Sequence, residues 1–403
     1  MNGRRQVVIT KIWGKKTLLY IENDKIYDVI AEPEDADTPA PGNIYVGKIK
    51  NIVANINAAF IEVRAGVLCY LPFSENGKEQ RMRPGDEIIV QIKKAAVKTK
   101  QAVATRFPEI AGNYCIVSMA TDGFGISKKI TDSRVLERLS EIKKKFETAP
   151  YGIVLRTAAQ YAEPEIVEKE CEKLLAELQE IMEHGKYLSR FSLLREETPF
   201  YIQYLYGCQE ENLDRIITDD TSVYHTLQHE YNGQKEKLCL YEDDTFSLDK
   251  LLGITSKLKK ALEKRVWLKS GGNLVIEPTE ALTVIDVNTG KAIEGKRQME
   301  TTFFRINCEA AKEVARQIRM RGISGIILVD FIDLKDKKKQ GEFLGILRSE
   351  LQKDRIKTVF VDITKLGLVE ITRMKKYPPL RESFPRGSFP GEISPTEIFG
   401  ENT

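Results

Sequence analysis

From residue 273 onward, apolar strands alternate with amphipathic helices, and this order constrains the fold more than any other feature of the chain. The strand-like runs are NLVIEPTEALTVIDVN, GIILVDFIDL, KTVFVDI and LVEITR, and the helical patterns between them are RINCEAAKEVARQIRMRG and KQGEFLGILRSELQKD. This alternation is typical of α/β domains, in which helices pack against the sheet. The sequence therefore predicts an α/β unit with a substantially buried sheet.

Two of these strands end in acidic residues. Asp286 and Asn288 close the run LTVIDVN, and Asp330 closes IILVD. Ligand sites in open α/β sheets lie at the carboxyl ends of strands, so neighbouring strands would bring the two acids together. Two ionised carboxylates about 4 Å apart repel by about 4 kcal/mol at an effective dielectric of about 20, so such a pair requires a cation. Mg²⁺ or Mn²⁺ fits such a pair best. A site of two carboxylates and a divalent metal ion is typical of enzymes that hydrolyse phosphodiesters.

A different interpretation of the same acids needs no metal. Asp286 and Asp330 could form turns or pair with the nearby Arg316, Arg319 and Arg321. Periodicity alone leaves both interpretations open.

The region from Ile44 to about Thr105 contains several short alternating strands and no helical stretch, which predicts a small β-barrel such as an OB-fold. Phe60 and Tyr70 lie near the ends of consecutive strands, and basic residues flank them. The flanking residues are Lys48, Lys50 and Arg64, and the run KKAAVKTK adds a basic edge. Aromatic faces between basic side chains are typical of OB-folds that bind single strands. The alternative, that Phe60 is a core residue and the lysines a solvated surface, stays open here.

Composition excludes several classes of protein. The chain has 62 basic and 59 acidic side chains, so its overall charge of +3 does not by itself indicate a nucleic-acid binder. The six cysteines are scattered without a C-x-x-C pair, which predicts reduced thiols rather than disulfides or a zinc site. His225 and His229 have helical spacing but lack a third ligand. No signal sequence or apolar run of about 20 residues is present, so we expect a cytoplasmic protein without a membrane span.

Several segments together resemble the ribonuclease E/G endoribonucleases. The similarity is greatest in EALTVIDVNTG, NCEAAKEVARQIRMRGISGIILVDFIDL and GLVEITR, and it continues through NIYVGKIKNIVANINAAFIEV, EIAGNYCIVSM, ISKKI and VLRTAA. It covers roughly residues 5 to 384 in the order of the family. The resemblance implies a catalytic subdomain like deoxyribonuclease I, in which Asp286 and Asp330 hold Mg²⁺ and Asn288 assists.

The resemblance also implies two sets of binding residues. RNA would contact Phe60, Tyr70 and Lys100 on the barrel. A pocket for a 5′-monophosphate would use residues matched by Gly112, Ile116, Arg156 and Thr157, with Lys357 in place of a family arginine. An arginine fork can bond phosphate oxygens bidentately, and a threonine hydroxyl adds a donor.

The implied organisation is a multidomain chain of mixed α+β and α/β class. Its predicted parts are a ribonuclease-H-like structural subdomain at 1–40 and 206–272, an OB-fold barrel at 41–108, a 5′-sensor region at 109–205, a deoxyribonuclease-I-like subdomain at 273–384 and a flexible tail at 385–403. The implied activity is Mg²⁺-dependent cleavage of single-stranded RNA to 5′-phosphate and 3′-hydroxyl products, favouring 5′-monophosphorylated substrates, in RNA processing and decay. A non-catalytic RNA-binding protein and a phosphodiesterase acting on DNA are the alternatives.

One feature departs from the family pattern. Family members commonly carry a C-P-x-C motif after the catalytic part, through which two subunits share zinc. Here that position reads RESFPRGSFPG, and no cysteine follows Cys308. We therefore expect no zinc, and we expect any homodimer to form without a zinc link. With no long scaffold tail in the sequence, the resemblance is to the short ribonuclease G type.

Overall fold

The computed structural model divides into two compact units. One comprises Met1–Pro33 with Glu211–Thr403, and the other comprises Glu34–Glu210. The residues that the structure describes are 4–32, 39–75, 82–96, 100–206, 208, 213–231, 233–243, 245–290, 299–385 and 388. The predicted flexible tail at 385–403 lies outside these residues, except for 385 and 388. Within these ranges, none of the helices combines the length and apolar character needed to cross a membrane.

The chain begins with an antiparallel meander of three strands, which are β1 (Arg5–Ile12), β2 (Lys15–Glu22) and β3 (Lys25–Ala31). Asn23 and Asp24 join β2 to β3, and their φ angles of 49° and 64° are both positive. Asparagine and aspartate tolerate this conformation better than most residues, and it suits the twist of a two-residue hairpin. Asn23 and Asp24 therefore suit the turn between these two strands.

Five strands of the second unit close into a barrel. They are β4 (Ile44–Val53), β5 (Ala58–Arg64), β6 (Val67–Pro72), β7 (Glu87–Lys94) and β8 (Ala102–Thr105). The order is β4-β5-β6-β8-β7, and β7 pairs again with β4. This closed barrel is compatible with the predicted OB-fold. Alternate side chains such as Ile61, Leu71 and Val90 fill its interior.

The rest of the second unit is a four-stranded sheet covered by helices. Its elements are β9 (Glu109–Ala111), β10 (Cys115–Ser118), β11 (Phe124–Ile126), α1 (Ser133–Lys145), β12 (Gly152–Leu155) and α2 (Pro164–His184). The sheet order is β11-β12-β10-β9. The carboxylate of Asp132 caps α1, and Pro164 is the first residue of α2, so each helix begins at a residue type that favours a helix N-terminus. The strand β13 (Leu193–Arg195) pairs with β4, and the short helix α3 (Phe200–Tyr206) follows.

The first sheet of the other unit combines distant parts of the chain. After β14 (Arg215–Thr218) come α4 (Thr221–Glu230), β15 (Leu238–Leu240), α5 (Leu248–Leu252) and α6 (Ile254–Ala261). The strand β14 pairs in parallel with β1, which gives the order β15-β14-β1-β2-β3. Apolar residues of α5 and α6, including Leu248 and Leu258, pack against β1 and β2 residues such as Val8 and Leu19.

The second sheet of this unit carries the acids. Its elements are β16 (Arg265–Trp267), β17 (Asn273–Pro278), β18 (Leu282–Asn288), α7 (Met299–Met320), β19 (Gly325–Asp330), α8 (Lys337–Gln352), β20 (Thr358–Ile363) and β21 (Val369–Arg373). The strand order is β16-β17-β18-β19-β21-β20, and β18 and β19 are the one pair of neighbouring strands in this sheet that is parallel.

In the part of the chain that the structure describes, this sheet, predicted to be substantially buried, is covered by helices on one face only. The helices α7 and α8 pack on one face, where Ile285, Val329 and Ile371 join their core. On the other face, Val284 and Ile326 are 37% and 52% exposed. The reason is topological: the two crossover connections, β18–α7–β19 and β19–α8–β20, both place their helices on the same face, and the hairpins that join the other strands place no helix on the second face.

Candidate active site and RNA-binding surfaces

Asp286 and Asp330 lie side by side near the carboxyl ends of two neighbouring strands. The parallel register of β18 and β19 places their Cα atoms opposite each other. Along β18, Ile285 and Val287 are buried on the helix-covered face, whereas Asp286 and Asn288 are half-buried on the other. Since side chains alternate along a strand, Asp286, Asn288 and Asp330 share the exposed face. The structure thus brings together the three predicted catalytic residues.

The charges of this group act on each other. The Asn288 side chain donates a 2.7 Å hydrogen bond from Nδ2 to Oδ2 of Asp286, which fixes the orientation of that carboxylate. Partial desolvation raises the pKa of Asp330 above its ordinary value, and the negative charges of Asp286 and Asp333 raise it further. A carboxyl group whose ionised form is disfavoured by other carboxylates is stabilised by a cation.

The donor set fits a hydrated magnesium ion. Within the described ranges, no three or more His, Cys, Asp or Glu side chains form a group that could hold a metal ion. A cage made entirely of these side chains is therefore not present in that part of the chain. Mg²⁺ commonly binds through one or two carboxylates and keeps several waters, so the pair Asp286 and Asp330 meets its needs.

The arginines that could have neutralised these acids pair elsewhere. Arg319 forms a salt bridge with Asp28 at 2.6 Å, and Arg316 forms one with Glu313 at 2.5 Å. Arg321 donates to the Gln317 side chain and to the carbonyls of Ala261 and Glu263. The interpretation of Asp286 and Asp330 as structural partners of these arginines is therefore wrong.

A buried amide that sequence reasoning missed holds the segment after Asp330. Asn307 on α7 is fully buried, donates to the Ile332 carbonyl at 2.7 Å and accepts from the Ile332 N–H at 3.1 Å. These two bonds fix the backbone two residues beyond the acid. The sequence did carry a signal for this residue, namely an amide within the apolar stripe of an amphipathic helix. Such an amide is expected to be buried with hydrogen-bond partners.

Close backbone packing fixes the chain after Asn288. Gly290 has a φ of +58°, and a Cβ atom there would lie 2.2 Å from the carbonyl oxygen of Gly271. Only glycine fits this position. Glu309 holds the same loop from the helix side, since its carboxylate accepts from the N–H groups of Lys269 and Ser270 at 2.6 and 2.9 Å.

On the barrel, Phe60 and Tyr70 form an aromatic pair outside the core. They are paired residues of β5 and β6, and their ring centroids are 6.1 Å apart in an edge-to-face arrangement. Both are half-buried, whereas their neighbours Ile61, Cys69 and Leu71 fill the barrel interior. The alternative that Phe60 is a core residue is wrong.

The basic residues around this pair differ in their surroundings. Lys50 forms a 3.0 Å salt bridge with Glu62, and the Arg64 guanidinium lies 5.8 Å from the centre of the Tyr45 ring. Lys100 is exposed just before β8, which runs parallel to β6, the strand of Tyr70. The middle of the predicted basic edge, 97–99, lies outside the described residues. Among the predicted RNA contacts Phe60, Tyr70 and Lys100, the lysine thus provides a positive charge that is exposed to solvent.

Four of the predicted sensor residues come together around β10 and β12. Ile116 on β10 pairs with Val154 on β12, and Arg156 follows directly after β12. The Arg156 guanidinium donates to the Gly112 carbonyl, and its backbone N–H donates to the Tyr114 carbonyl at 2.7 Å. The Thr157 hydroxyl lies 3.0 Å from that of Ser127. Lys357 lies in the other unit, exposed in the segment before β20.

A buried carboxylate on α2, not predicted from the sequence, organises this group. Glu170 accepts from the backbone N–H groups of Asn113, Tyr114 and Cys115 at 3.1, 2.6 and 3.1 Å. Burial raises the pKa of Glu170, while these three hydrogen bonds and the Arg156 charge lower it. A Cβ atom at Gly112 would lie 2.4 Å from the Glu170 carboxylate. Gly112 is therefore required so that the loop can approach Glu170.

Comparisons with known proteins show which sequences this chain is similar to. The sequence profile of the Ribonuclease E/G family matches residues 109–376. Ribonuclease G of Escherichia coli K12 is 29% identical over 377 residues, which cover 88% of this chain and 77% of that protein. Ribonuclease G of Haemophilus influenzae is 30% identical over 83% of this chain and 72% of that protein. Ribonuclease E of Nostoc is 30% identical over 85% of this chain and 52% of that protein.

Proposed function

Because the chain belongs to the Ribonuclease E/G family, we propose that it is an endoribonuclease that cleaves single-stranded RNA with the help of Mg²⁺. The observation that carries the proposal is the in-register pair Asp286 and Asp330, with Asn288 on the same exposed sheet face. The reaction leaves a 5′-phosphate and a 3′-hydroxyl, and it serves RNA processing and decay.

The roles of the residues follow from their positions. Asp286 and Asp330 would hold the cation, for which Mn²⁺ would be a substitute, and Asn288 orients the Asp286 carboxylate through its 2.7 Å hydrogen bond. When bound, the cation supplies polarisation of the scissile phosphate and activation of water. The exposed sheet face leaves room for an extended strand of RNA to reach the acids.

We assign RNA binding to the barrel and 5′-end recognition to the group around Arg156. Phe60 and Tyr70 provide faces on which unpaired bases stack, and Lys100 provides a cation for the backbone. Arg156 and Thr157 bind a 5′-monophosphate next to Gly112 and Ile116, and all four residues belong to one unit. A monophosphate suits an arginine fork, whereas a triphosphate is bulkier and more charged.

The organisation predicted from the resemblance is retained as part of this proposal. Residues 41–108 form the RNA-binding OB-fold, 109–205 the sensor, and 273–384 a deoxyribonuclease-I-like catalytic subdomain. Residues 1–40 and 206–272 form a ribonuclease-H-like structural subdomain. A homodimer, if the chain forms one, is held together by contacts between protein surfaces and not by a shared zinc ion.

The test is an incubation of the purified chain with a 5′-monophosphorylated oligoribonucleotide, with Mg²⁺ and with a chelator. We expect internal cleavage only with Mg²⁺ and products that carry a 5′-phosphate and a 3′-hydroxyl. Binding without cleavage in any divalent ion would instead identify a non-catalytic RNA-binding protein. Equal cleavage of the matching DNA strand would identify a general phosphodiesterase.

Removing the barrel aromatics is expected to weaken RNA binding without unfolding the chain. Phe60→Ala and Tyr70→Ala should each raise the Kd for single-stranded RNA about tenfold, because a stacked base contributes about 1–3 kcal/mol. Leu68→Ala is the matched control, since Leu68 is also half-buried and lies two residues from Tyr70 on the same face. The measurement is fluorescence anisotropy of a labelled oligonucleotide. An equal loss of affinity in the Leu68 variant would argue against stacking.

A further inference from the structure

Trp267 is an exposed aromatic residue on the sheet that carries the catalytic acids. It is the last residue of the edge strand β16, and 63% of its surface is exposed. Burying an indole is strongly favourable, so an edge strand that ends in an exposed tryptophan lacks an explanation in the fold itself. A single exposed apolar residue is nevertheless common, so its position has to carry the argument.

The strand register places Trp267 in line with Asn288. Trp267 pairs with Asn273 on β17, and Asn273 pairs in turn with Asn288 on β18. Directly opposed residues of antiparallel strands project from the same face, so the indole and the catalytic residues share the exposed face. Neighbouring strands are about 4.8 Å apart, which puts Trp267 about 10 Å from Asn288. Asp286 is two residues further along β18, about 6.6 Å, so Trp267 lies about 12 Å from Asp286 and can reach a base one or two nucleotides from a phosphate held at the acids.

The surroundings of Trp267 are basic. The Arg265 guanidinium lies 5.8 Å from the centre of the indole ring, and the side chain of Lys269 is exposed two residues after Trp267. Stacking surfaces for single-stranded nucleic acid combine an aromatic face with cations that follow the phosphates. The edge of the sheet beside the acids has this combination.

A second and independent feature lies between Trp267 and Asn288. Asn273 is only 5% exposed, and its Oδ1 atom has no hydrogen-bond partner among the described residues. A buried carbonyl without a donor is costly, and in native structures it usually indicates a ligand or an ordered water. Asn273 therefore offers an acceptor to a donor group that enters between the indole and the catalytic residues.

We propose that Trp267 and Asn273 form a nucleotide-binding subsite, in which an unpaired base one or two nucleotides from the scissile phosphate stacks on the indole. Asn273 Oδ1 accepts a hydrogen bond from that base or from its ribose hydroxyl. This inference rests on the proposed endoribonuclease function and adds a positioning site on the catalytic sheet, separate from the barrel aromatics. The subsite holds the strand so that the phosphate lies over Asp286 and Asp330.

Tryptophan fluorescence tests the stacking directly, because the chain contains two tryptophans. Trp13, the other one, packs edge-to-face against Phe384 with ring centroids 4.9 Å apart. In a chelator, which prevents cleavage, a single-stranded oligoribonucleotide should quench the emission of the wild-type chain and of Trp13→Phe. The Trp267→Phe variant should bind the same RNA without this quenching. Anisotropy of the labelled RNA measures binding independently.

Steady-state kinetics with Mg²⁺ provide the second measurement. Trp267→Ala should raise KM for single-stranded RNA about tenfold, and Trp267→Phe should restore most of the loss, because a phenyl ring also stacks. Val359→Ala is the matched control, since Val359 is 39% exposed on the same face at the opposite edge of the sheet. This control should cleave as the wild type does.

The outcomes separate this inference from the proposed function. If the wild-type chain binds and cleaves RNA but RNA leaves Trp267 emission unchanged, or if Trp267→Ala retains the wild-type KM, the subsite is wrong and the proposed function stands. If the wild-type chain neither binds nor cleaves RNA, the proposed function fails, and the subsite fails with it. Melting temperatures of the variants should match the wild type because the indole is exposed.

Discussion

Asp286→Asn and Asp330→Asn should each reduce RNA cleavage by about 10³-fold or more, because a phosphate-polarising metal supplies several kcal/mol of transition-state stabilisation. The Kd for RNA, measured by anisotropy, should stay close to that of the wild type, since the proposed barrel contacts are unchanged. Single-turnover cleavage of a 5′-monophosphorylated oligoribonucleotide is the appropriate assay, because it isolates the chemical step from product release.

Asp333→Asn is the matched control for these two substitutions. Asp333 is exposed and close enough to raise the pKa of Asp330, but it lies beyond the end of β19 and outside the register pair. Removing the charge of Asp333 should change the rate of RNA cleavage only severalfold. A full loss of activity in Asp333→Asn, or full activity in either strand-end variant, would overturn the assignment of the metal ligands.

The same pair of acids predicts how stability depends on pH. The pKa of Asp330 is raised in the folded chain, so the metal-free folded state is relatively more stable when this group is protonated. The stability that protonated Asp330 contributes to the folded state is lost as the pH rises from the pKa of the unfolded chain, about 3.9, through the raised pKa of the folded chain. In a chelator, Asp330→Asn should therefore melt at a higher temperature than the wild type at pH 7, and the difference should disappear near pH 4. Mg²⁺ should stabilise the wild type and not this variant.

How far the site could be predicted from the sequence depends on the kind of information each part needs. Asp286 and Asp330 were recognisable because each ends an apolar run, and that is a local property. The two acids lie together because β18 and β19 pair in parallel and in register. The sequence made this pairing a reasonable expectation only through the βαβ connection that contains α7. The exposed second face of the sheet was missed, because strand patterns do not say which face the helices cover.

Two buried polar residues show a different limit. Glu170 and Asn307 lie in the apolar stripes of α2 and α7, where hydrophobic periodicity treats a polar residue as an interruption. Their partners are backbone groups 55 to 57 residues earlier for Glu170 and 25 residues later for Asn307. Such bonds leave no periodic trace, so the sequence indicates that a buried polar group exists but not what it holds.

Arg156→Ala should selectively slow the cleavage of 5′-monophosphorylated RNA. Charge-assisted hydrogen bonds to a phosphate contribute about 1.5–3 kcal/mol, so the ratio of kcat/KM for 5′-monophosphate over 5′-hydroxyl RNA should fall about tenfold or more. Arg156→Lys should lose part of this preference, because an ammonium keeps the charge but not the bidentate fork. The measurement is competition between the two substrates in one reaction.

A structural role for Arg156 would give a different result. Its guanidinium donates to the Gly112 carbonyl and its charge offsets the buried Glu170 carboxylate, so removing it also weakens the loop that Glu170 holds. That damage would slow both substrates equally and lower the melting temperature. Thr157→Ala is the milder control, because it removes a hydroxyl that contacts Ser127 and leaves the Arg156–Glu170 pair intact. If both variants lose the 5′-end preference and only Arg156→Ala loses stability, phosphate recognition and loop support are separate functions of the same arginine.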